Sequence, residues 1–97
     1  MEATYLQRFI YEYIGTVIYL YVIITTGNAF IIGGTLIICL LVGKAIFKDK
    51  FNNINFNPAV SIMMSLAKKM SLRDLAPYIF CQIAGGITAL VIYKYIK

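Results

Sequence analysis

The sequence has no histidine and no tryptophan, and it carries little charge. Only 13% of its 97 residues are charged, and four of these are acidic, whereas charged residues make up about 25% of a typical soluble domain. Because histidine is absent and the acids are scattered, one copy cannot assemble a metal cluster, a histidine-based catalytic group or a close pair of carboxylates. The sequence therefore predicts no enzyme, no metal and no cofactor.

Cysteine is also scarce, since only Cys39 and Cys81 are present and both lie in apolar runs. Paired cysteines in small extracellular domains usually have loop-rich, polar surroundings, so we expect packing residues rather than a disulfide. The opening residues 1–4 lack the basic region and small-residue cleavage site of a signal peptide. The first apolar run is therefore expected to be retained as a membrane span.

Hydrophobic residues are abundant, at 61% of the chain. A domain this small cannot bury so much apolar surface within itself, so the sequence predicts a membrane protein. Three runs, 9–26, 29–47 and 75–96, approach the length of about 20 residues that a helix needs to cross the bilayer. We therefore expect a single membrane domain over 1–97, with the lipid bilayer as its surroundings.

The basic residues predict an orientation. Six of them lie between the end of the second run, which contains Lys44, and the start of the third, whereas the first connection, 25–28, has no charge. These six are Lys44, Lys48, Lys50, Lys68, Lys69 and Arg73. By the positive-inside rule this segment and the amino terminus are cytoplasmic, and the carboxyl terminus is outside. Two other interpretations of the same cluster are attraction to anionic lipid and docking on a protein surface.

A short apolar stretch, 59–67, begins within the sequence "NFNPAVS", residues 55–61. Nine residues are too few to cross a bilayer. Asn57 is a favourable helix N-cap, and Pro58 suits the first helical position, so we expect a short helix over 58–67. A short helix that enters and leaves on one side is a re-entrant half-helix. The alternative is that Asn57 only caps a helix in a surface loop. The segment 71–74 resembles a capping box that opens the third span.

Three motifs resemble those of the aquaporin and glycerol-facilitator family. Asn57-Pro58-Ala59 resembles the family's "NPA" signature. Glu12, in "YEYIGT", is similar to the glutamate of the family's first span. The start of the family's third span is similar to "PYIFCQIAGG", which contains Gln82, Gly85 and Gly86. The resemblance covers almost the whole chain but only the first half of the family's repeat. The second NPA and the arginine after it are absent, and "KDKFNNINF" replaces the family's usual "GHxSGAH"-like loop.

The resemblance implies an all-α membrane protein with three transmembrane helices plus one re-entrant half-helix, half of an aquaporin-like fold. It implies that Asn57, Pro58 and Ala59 form the pore end of the half-helix. Glu12 would accept hydrogen bonds from the backbone of the re-entrant loop, and Gln82 would be a scaffold residue. For Glu12 the alternative is a carboxylate at the membrane interface, paired with Arg8.

Glycines are expected to allow close helix contacts, as small residues do in lipid. The positions concerned are Gly15, Gly85 and Gly86, with Gly33, Gly34 and Gly43.

The function implied by the resemblance is a half-channel for passive passage of water or small neutral solutes such as glycerol. Its pore would be completed by a homo-oligomer or by a complementary second-half chain, and nucleic acid is not an expected partner. The alternative is a non-conducting structural membrane protein of an organelle or virion-type assembly, built on a relic half-aquaporin. A lysis-type pore former fits the size and charge of the chain but not the NPA pattern.

Overall fold

A computed structural model describes residues 5–47 and 53–96, and within these ranges all regular structure is helical. The four helices are α1 (Tyr5–Thr25), α2 (Ala29–Phe47), α3 (Pro58–Leu66) and α4 (Leu72–Ile96). Helices α1, α2 and α4 are long and apolar enough to cross a membrane, as in a multi-pass integral membrane protein. Of the residues used to predict orientation, Lys48 and Lys50 lie outside the described ranges.

Two helix boundaries differ from the predicted ones by a few residues. Helix α1 begins at Tyr5 rather than at residue 9, because Gln7 and Arg8 interrupt the apolar run but are good helix formers. Helix α4 begins at Leu72 rather than at residue 75, because the Ser71 hydroxyl accepts a hydrogen bond from an N–H of its first turn. The apolar run alone underestimates the length of both helices, since the backbone hydrogen bonds of a helix continue past residues with polar side chains.

Helices α2 and α3 follow the predicted ranges closely. Helix α2 covers the predicted residues, and the Asn28 side chain caps it by accepting hydrogen bonds from the N–H groups of Phe30 and Ile31. Helix α3 ends at Leu66, one residue before the predicted end, and Ala67 is its C-cap. Both starts have an asparagine side chain in the capping role, which the sequence pattern predicted only for Asn57.

Helices α1 and α4 run in the same direction, side by side. At one end the Arg73 guanidinium donates to the Tyr5 hydroxyl at 2.7 Å. Further along, the hydroxyls of Tyr13 and Thr88 lie 2.6 Å apart. Helix α2 returns antiparallel along α1, and α3 packs against α4. The bundle end at which α1 and α4 begin is called the basic end below, because Arg73 lies there.

Four glycines lie where helices or the chain before α3 come close. A Cβ on Gly43 would lie 2.6 Å from Ile54 Cδ1, in the chain before α3. A Cβ on Gly15 would meet the Phe56 ring, one on Gly85 would lie 2.9 Å from the Thr16 Cβ, and one on Gly86 would lie 3.1 Å from Leu20. Such distances leave no room for even a methyl group without a shift.

Two glycines of α2 differ from expectation. A Cβ on Gly33 or Gly34 would have nothing within 4 Å among the described residues. The expectation of close helix contacts is therefore wrong at these two positions within one copy, because no described atom comes near enough to contact a side chain there.

Candidate functional site

The chain before α3 runs through the interior of the bundle. Residues Ile54, Asn55 and Phe56 are all buried, although none of them belongs to a helix. Backbone N–H groups in such a place need hydrogen-bond partners. The N–H of Asn55 donates to Glu12 Oε2 at 2.7 Å, and the N–H of Phe56 donates to Glu12 Oε1 at 2.9 Å. A carboxylate on α1 therefore holds two successive peptide groups of this segment.

Glu12 receives a third hydrogen bond, from Gln82 on α4. The Gln82 Nε2 lies 3.0 Å from Glu12 Oε1. All three partners are donors, which matches a carboxylate that only accepts. The Glu12 side chain is 1% exposed, so the carboxylate lies inside the bundle.

The side-chain amides of Gln82 and Asn55 both donate to one hydroxyl of α3, that of Ser61. Ser61 Oγ lies 2.8 Å from Gln82 Nε2 and 3.0 Å from Asn55 Nδ2. We call Glu12, Asn55, Phe56, Ser61 and Gln82 the Glu12 network. It joins α1, α4, α3 and the chain before α3, so the position of α3 depends on all of them.

Three members of this network, Asn55, Phe56 and Ser61, were missed by the sequence reasoning. A signal for Ser61 was present, because it follows Asn57 by about one helical turn and is polar within an apolar helix. No comparable signal distinguishes Asn55 from its neighbouring asparagines. Its role depends on Glu12, 43 residues away in sequence.

Phe56 turns the chain just before α3. Its φ of 58° places it in the left-handed region, which costs a residue other than glycine on the order of 1–3 kcal/mol. Two contacts hold this conformation: the Phe56 N–H donates to Glu12, and the Phe56 ring packs against Gly15. The strained residue thus lies directly before Asn57 and fixes the direction in which α3 starts.

Asn57 is the N-cap of α3, and Pro58 occupies the first turn. The Asn57 side-chain oxygen accepts a hydrogen bond from the N–H of Ala59 at 2.7 Å. The side chain is exposed, and its Nδ2 donates to none of the residues that the structure describes. This arrangement offers two amide donors beside a helix N-terminus, which carries a partial positive charge.

Asn57 lies near the middle of the bundle's height. Phe56 contacts Gly15, and Ser61 contacts Gln82. Gly15 and Gln82 are each ten residues from the start of their helix, which corresponds to about 15 Å at 1.5 Å per residue. Helix α3 therefore begins about half-way along α1 and α4.

Both ends of the segment that contains α3 lie toward the basic end. The Asn53 side chain donates to the carbonyl of Lys69 at 3.0 Å, which joins the residues before and after α3. The Tyr78 hydroxyl, near the start of α4, donates to the Asn53 carbonyl at 2.6 Å. The chain thus runs from the basic end to mid-height and returns through α3.

The described residues include no group of three or more histidine, cysteine or acidic side chains placed to hold a metal ion. No family model, curated protein or solved structure matches the chain. The geometry of this site is therefore the basis for assigning a function.

Proposed function

We propose that the chain is one half of an aquaporin-like channel for water or small neutral solutes such as glycerol. A second copy or a complementary second-half chain would supply the remaining pore wall. The observation that carries this proposal is the exposed Asn57 amide at the start of α3, at mid-height among three helices long enough to span a bilayer.

The depth of Asn57 in the bundle determines what can surround its side chain. Lipid offers no hydrogen bonds, so irregular backbone at membrane depth is tolerated only where protein or a water-filled cavity covers it. If α1 and α4 span the bilayer, their mid-height lies near the centre of a hydrocarbon core about 30 Å thick. Helix α3 is then a re-entrant half-helix, and Asn57 faces water or another chain rather than acyl tails.

The start of α3 also bears on selectivity. The N-terminus of α3 carries roughly half an elementary positive charge, and half-helix ends of this sign exclude cations and protons from pores. The Asn57 NH₂ donates to a neutral oxygen atom passing by. A positive helix end with amide donors therefore favours uncharged hydrogen-bond acceptors, such as water or an alcohol.

A partner is needed to enclose the proposed pore. Asn57 is exposed in the single chain, so one copy leaves the side of the proposed pore facing it open. The basic residues favour one orientation of the chain in the membrane, which argues against a pair with one copy inverted. A parallel oligomer or a separate second-half chain is the partner that fits.

Flux measurements in proteoliposomes test this function. The purified chain is reconstituted at increasing protein density, and swelling in glycerol and shrinking in sucrose are followed by light scattering. We expect little flux from isolated copies and a steep rise with density, or on adding a candidate second half. Asn57→Asp should lower solute flux and raise cation leak, because it replaces the donor with an acceptor or a charge.

Asn28→Asp is the matched control, because Asn28 is the exposed N-cap of α2. The same chemical change there should leave flux and cation leak as in the wild type. Equal effects of the two substitutions would contradict a pore at Asn57. Absence of flux at every density and with every candidate second half would favour the non-conducting structural protein.

A further inference from the structure

A second polar feature lies at the basic end, outside the Glu12 network. Between the end of α3 and the start of α4 there is a pocket of about 430 Å³. Its lining includes Ser65, Lys68, Lys69, Ser71 and Leu72, and no acidic residue of the described ranges lines it. With Asn53 and Met70, which complete the lining, the pocket combines two lysines, two hydroxyls, one amide and two apolar side chains.

The turn that presents the two lysines is well defined. Lys68 has a φ of 61°, so the chain reverses there. Its N–H donates to the carbonyl of Ser65 at 3.1 Å, and the N–H of Lys69 donates to that of Met64 at 2.9 Å. Both lysines are exposed, so two positive charges stand together at the pocket on a fixed backbone.

Ser65 provides an independent sign of a ligand. Its side chain is only 6% exposed, and its hydroxyl has no hydrogen-bond partner among the residues that the structure describes. A buried hydroxyl left in this state is unfavourable. Because Ser65 lines the pocket, an acceptor atom bound there would pair with it.

The start of α4 adds a further anion-attracting group. The Ser71 hydroxyl accepts from the N–H of Arg73, and the Ser71 carbonyl accepts from that of Asp74. The N–H of Leu72, the first residue of the helix, donates to no acceptor among the residues that the structure describes. Free N–H groups and the partial positive charge at a helix N-terminus favour phosphate groups.

We propose that this pocket binds the phosphate of an anionic lipid headgroup. Lys68 and Lys69 supply charge, the Ser65 hydroxyl donates one hydrogen bond, and the N-terminus of α4 supplies another donor. The phosphate oxygens would share these donors among them. The inference requires only that the bundle lies in a membrane, and it stands or falls independently of a pore at Asn57.

The surroundings of the pocket favour a lipid over free phosphate. Leu72 lines the pocket and is 73% exposed, and Leu66, at the end of α3, is 76% exposed. These side chains are suitable contacts for acyl chains beside a headgroup. The pocket also lies ten residues from Gln82, about 15 Å along α4, which is the distance from the centre of a bilayer to its polar boundary.

Native mass spectrometry of the full chain in neutral detergent tests the proposal. Phosphatidylglycerol and phosphatidylcholine of equal chain length are titrated, and glycerol phosphate and inorganic phosphate are tested separately. We expect tighter binding of phosphatidylglycerol than of the other three probes. At about 1 kcal/mol per basic residue near a membrane surface, Lys68→Gln with Lys69→Gln should weaken binding about thirtyfold.

Two matched variants distinguish binding in the pocket from general attraction of the lipid to a positively charged protein. Lys44→Gln with Lys94→Gln removes the same net charge outside the pocket and should change binding much less. Ser65→Ala removes no charge and no hydrogen bond within the described chain, so the fold should be retained while phosphatidylglycerol binds severalfold more weakly. Circular dichroism checks folding of each variant.

Three outcomes would overturn the proposal. One is equal affinity for phosphatidylglycerol and phosphatidylcholine. Another is equal weakening by the two double lysine variants, together with no effect of Ser65→Ala, which would mean diffuse attraction. The third is binding of glycerol phosphate or inorganic phosphate as tight as that of the lipid, which would indicate a site for a soluble phosphate.

Discussion

Replacing Glu12 with glutamine should destabilise the protein by several kcal/mol. The two side chains have nearly the same shape, but glutamine has one acceptor oxygen and an NH₂ group in place of two acceptor oxygens. The N–H groups of Asn55 and Phe56 and the Gln82 amide all donate to Glu12. In the variant the new NH₂ must face at least one of these donors, and that donor loses its partner.

The magnitude follows from the number of bonds. A hydrogen bond to a charged group contributes about 1.5–3 kcal/mol and a neutral one about 0.5–1.5 kcal/mol, and an unpaired buried donor costs about 1–3 kcal/mol. Loss of charge on two bonds and loss of a partner for a third donor sum to about 4 kcal/mol. This is an upper figure, because a neutral amide is less costly to bury than a carboxylate.

Thermal unfolding in detergent, followed by circular dichroism, measures the effect. We expect the apparent Tm of Glu12→Gln to fall by more than about 10 °C, given roughly 4–8 °C per kcal/mol for a chain near this length. Glu2→Gln changes the net charge equally and is the control, although Glu2 lies outside the described residues. Equal Tm values for the two variants would refute the assigned role of Glu12.

A second variant separates position from charge. Glu12→Gln combined with Gln82→Glu returns a carboxylate to the network, but places it on α4 instead of α1. The pair can still bond to each other, whereas the N–H groups of Asn55 and Phe56 then face an amide. We expect no recovery of Tm in this double variant. Full recovery would mean that a buried charge anywhere in the network suffices.

Two further predictions concern packing and topology. Gly15→Ala should lower the Tm, because the new methyl overlaps the Phe56 ring and overpacking costs about 1–3 kcal/mol. Gly33→Ala, in open space, should leave the Tm unchanged or higher. The opposite order would contradict the packing of the residues before α3 against α1. In a background without the two native cysteines, a membrane-impermeant maleimide should label Gly27→Cys from outside and Leu72→Cys from the cytoplasmic side. Equal labelling of both positions from both sides would instead indicate two opposite insertions.

Much of the architecture follows from local properties of the sequence. Three long apolar runs exceed what a small soluble domain can bury, and they predicted the three long helices without any knowledge of their packing. The start of α3 was equally predictable, because an N-cap bond joins Asn57 and Ala59, two residues apart. Residue type and spacing are sufficient for such short-range bonds.

The arrangement of the site was decided by tertiary structure. The resemblance suggested that Glu12 supports the loop, but not that its partners would be the N–H groups of Asn55 and Phe56 and the Gln82 amide. The left-handed conformation of Phe56 was equally unforeseen, because phenylalanine has no local preference for it. It is held by Glu12 and by space at Gly15, both about 40 residues earlier in the chain.

The same limit explains the glycines. Gly15 and Gly33 both lie in apolar helices, and sequence alone treats them as equivalent positions for close contact. Only the parallel packing of α1 beside α4, with the chain before α3 turned against α1, gives Gly15 a neighbour and leaves Gly33 open. Helical periodicity indicates which residues share a face, but the neighbour of that face depends on contacts between segments distant in the sequence.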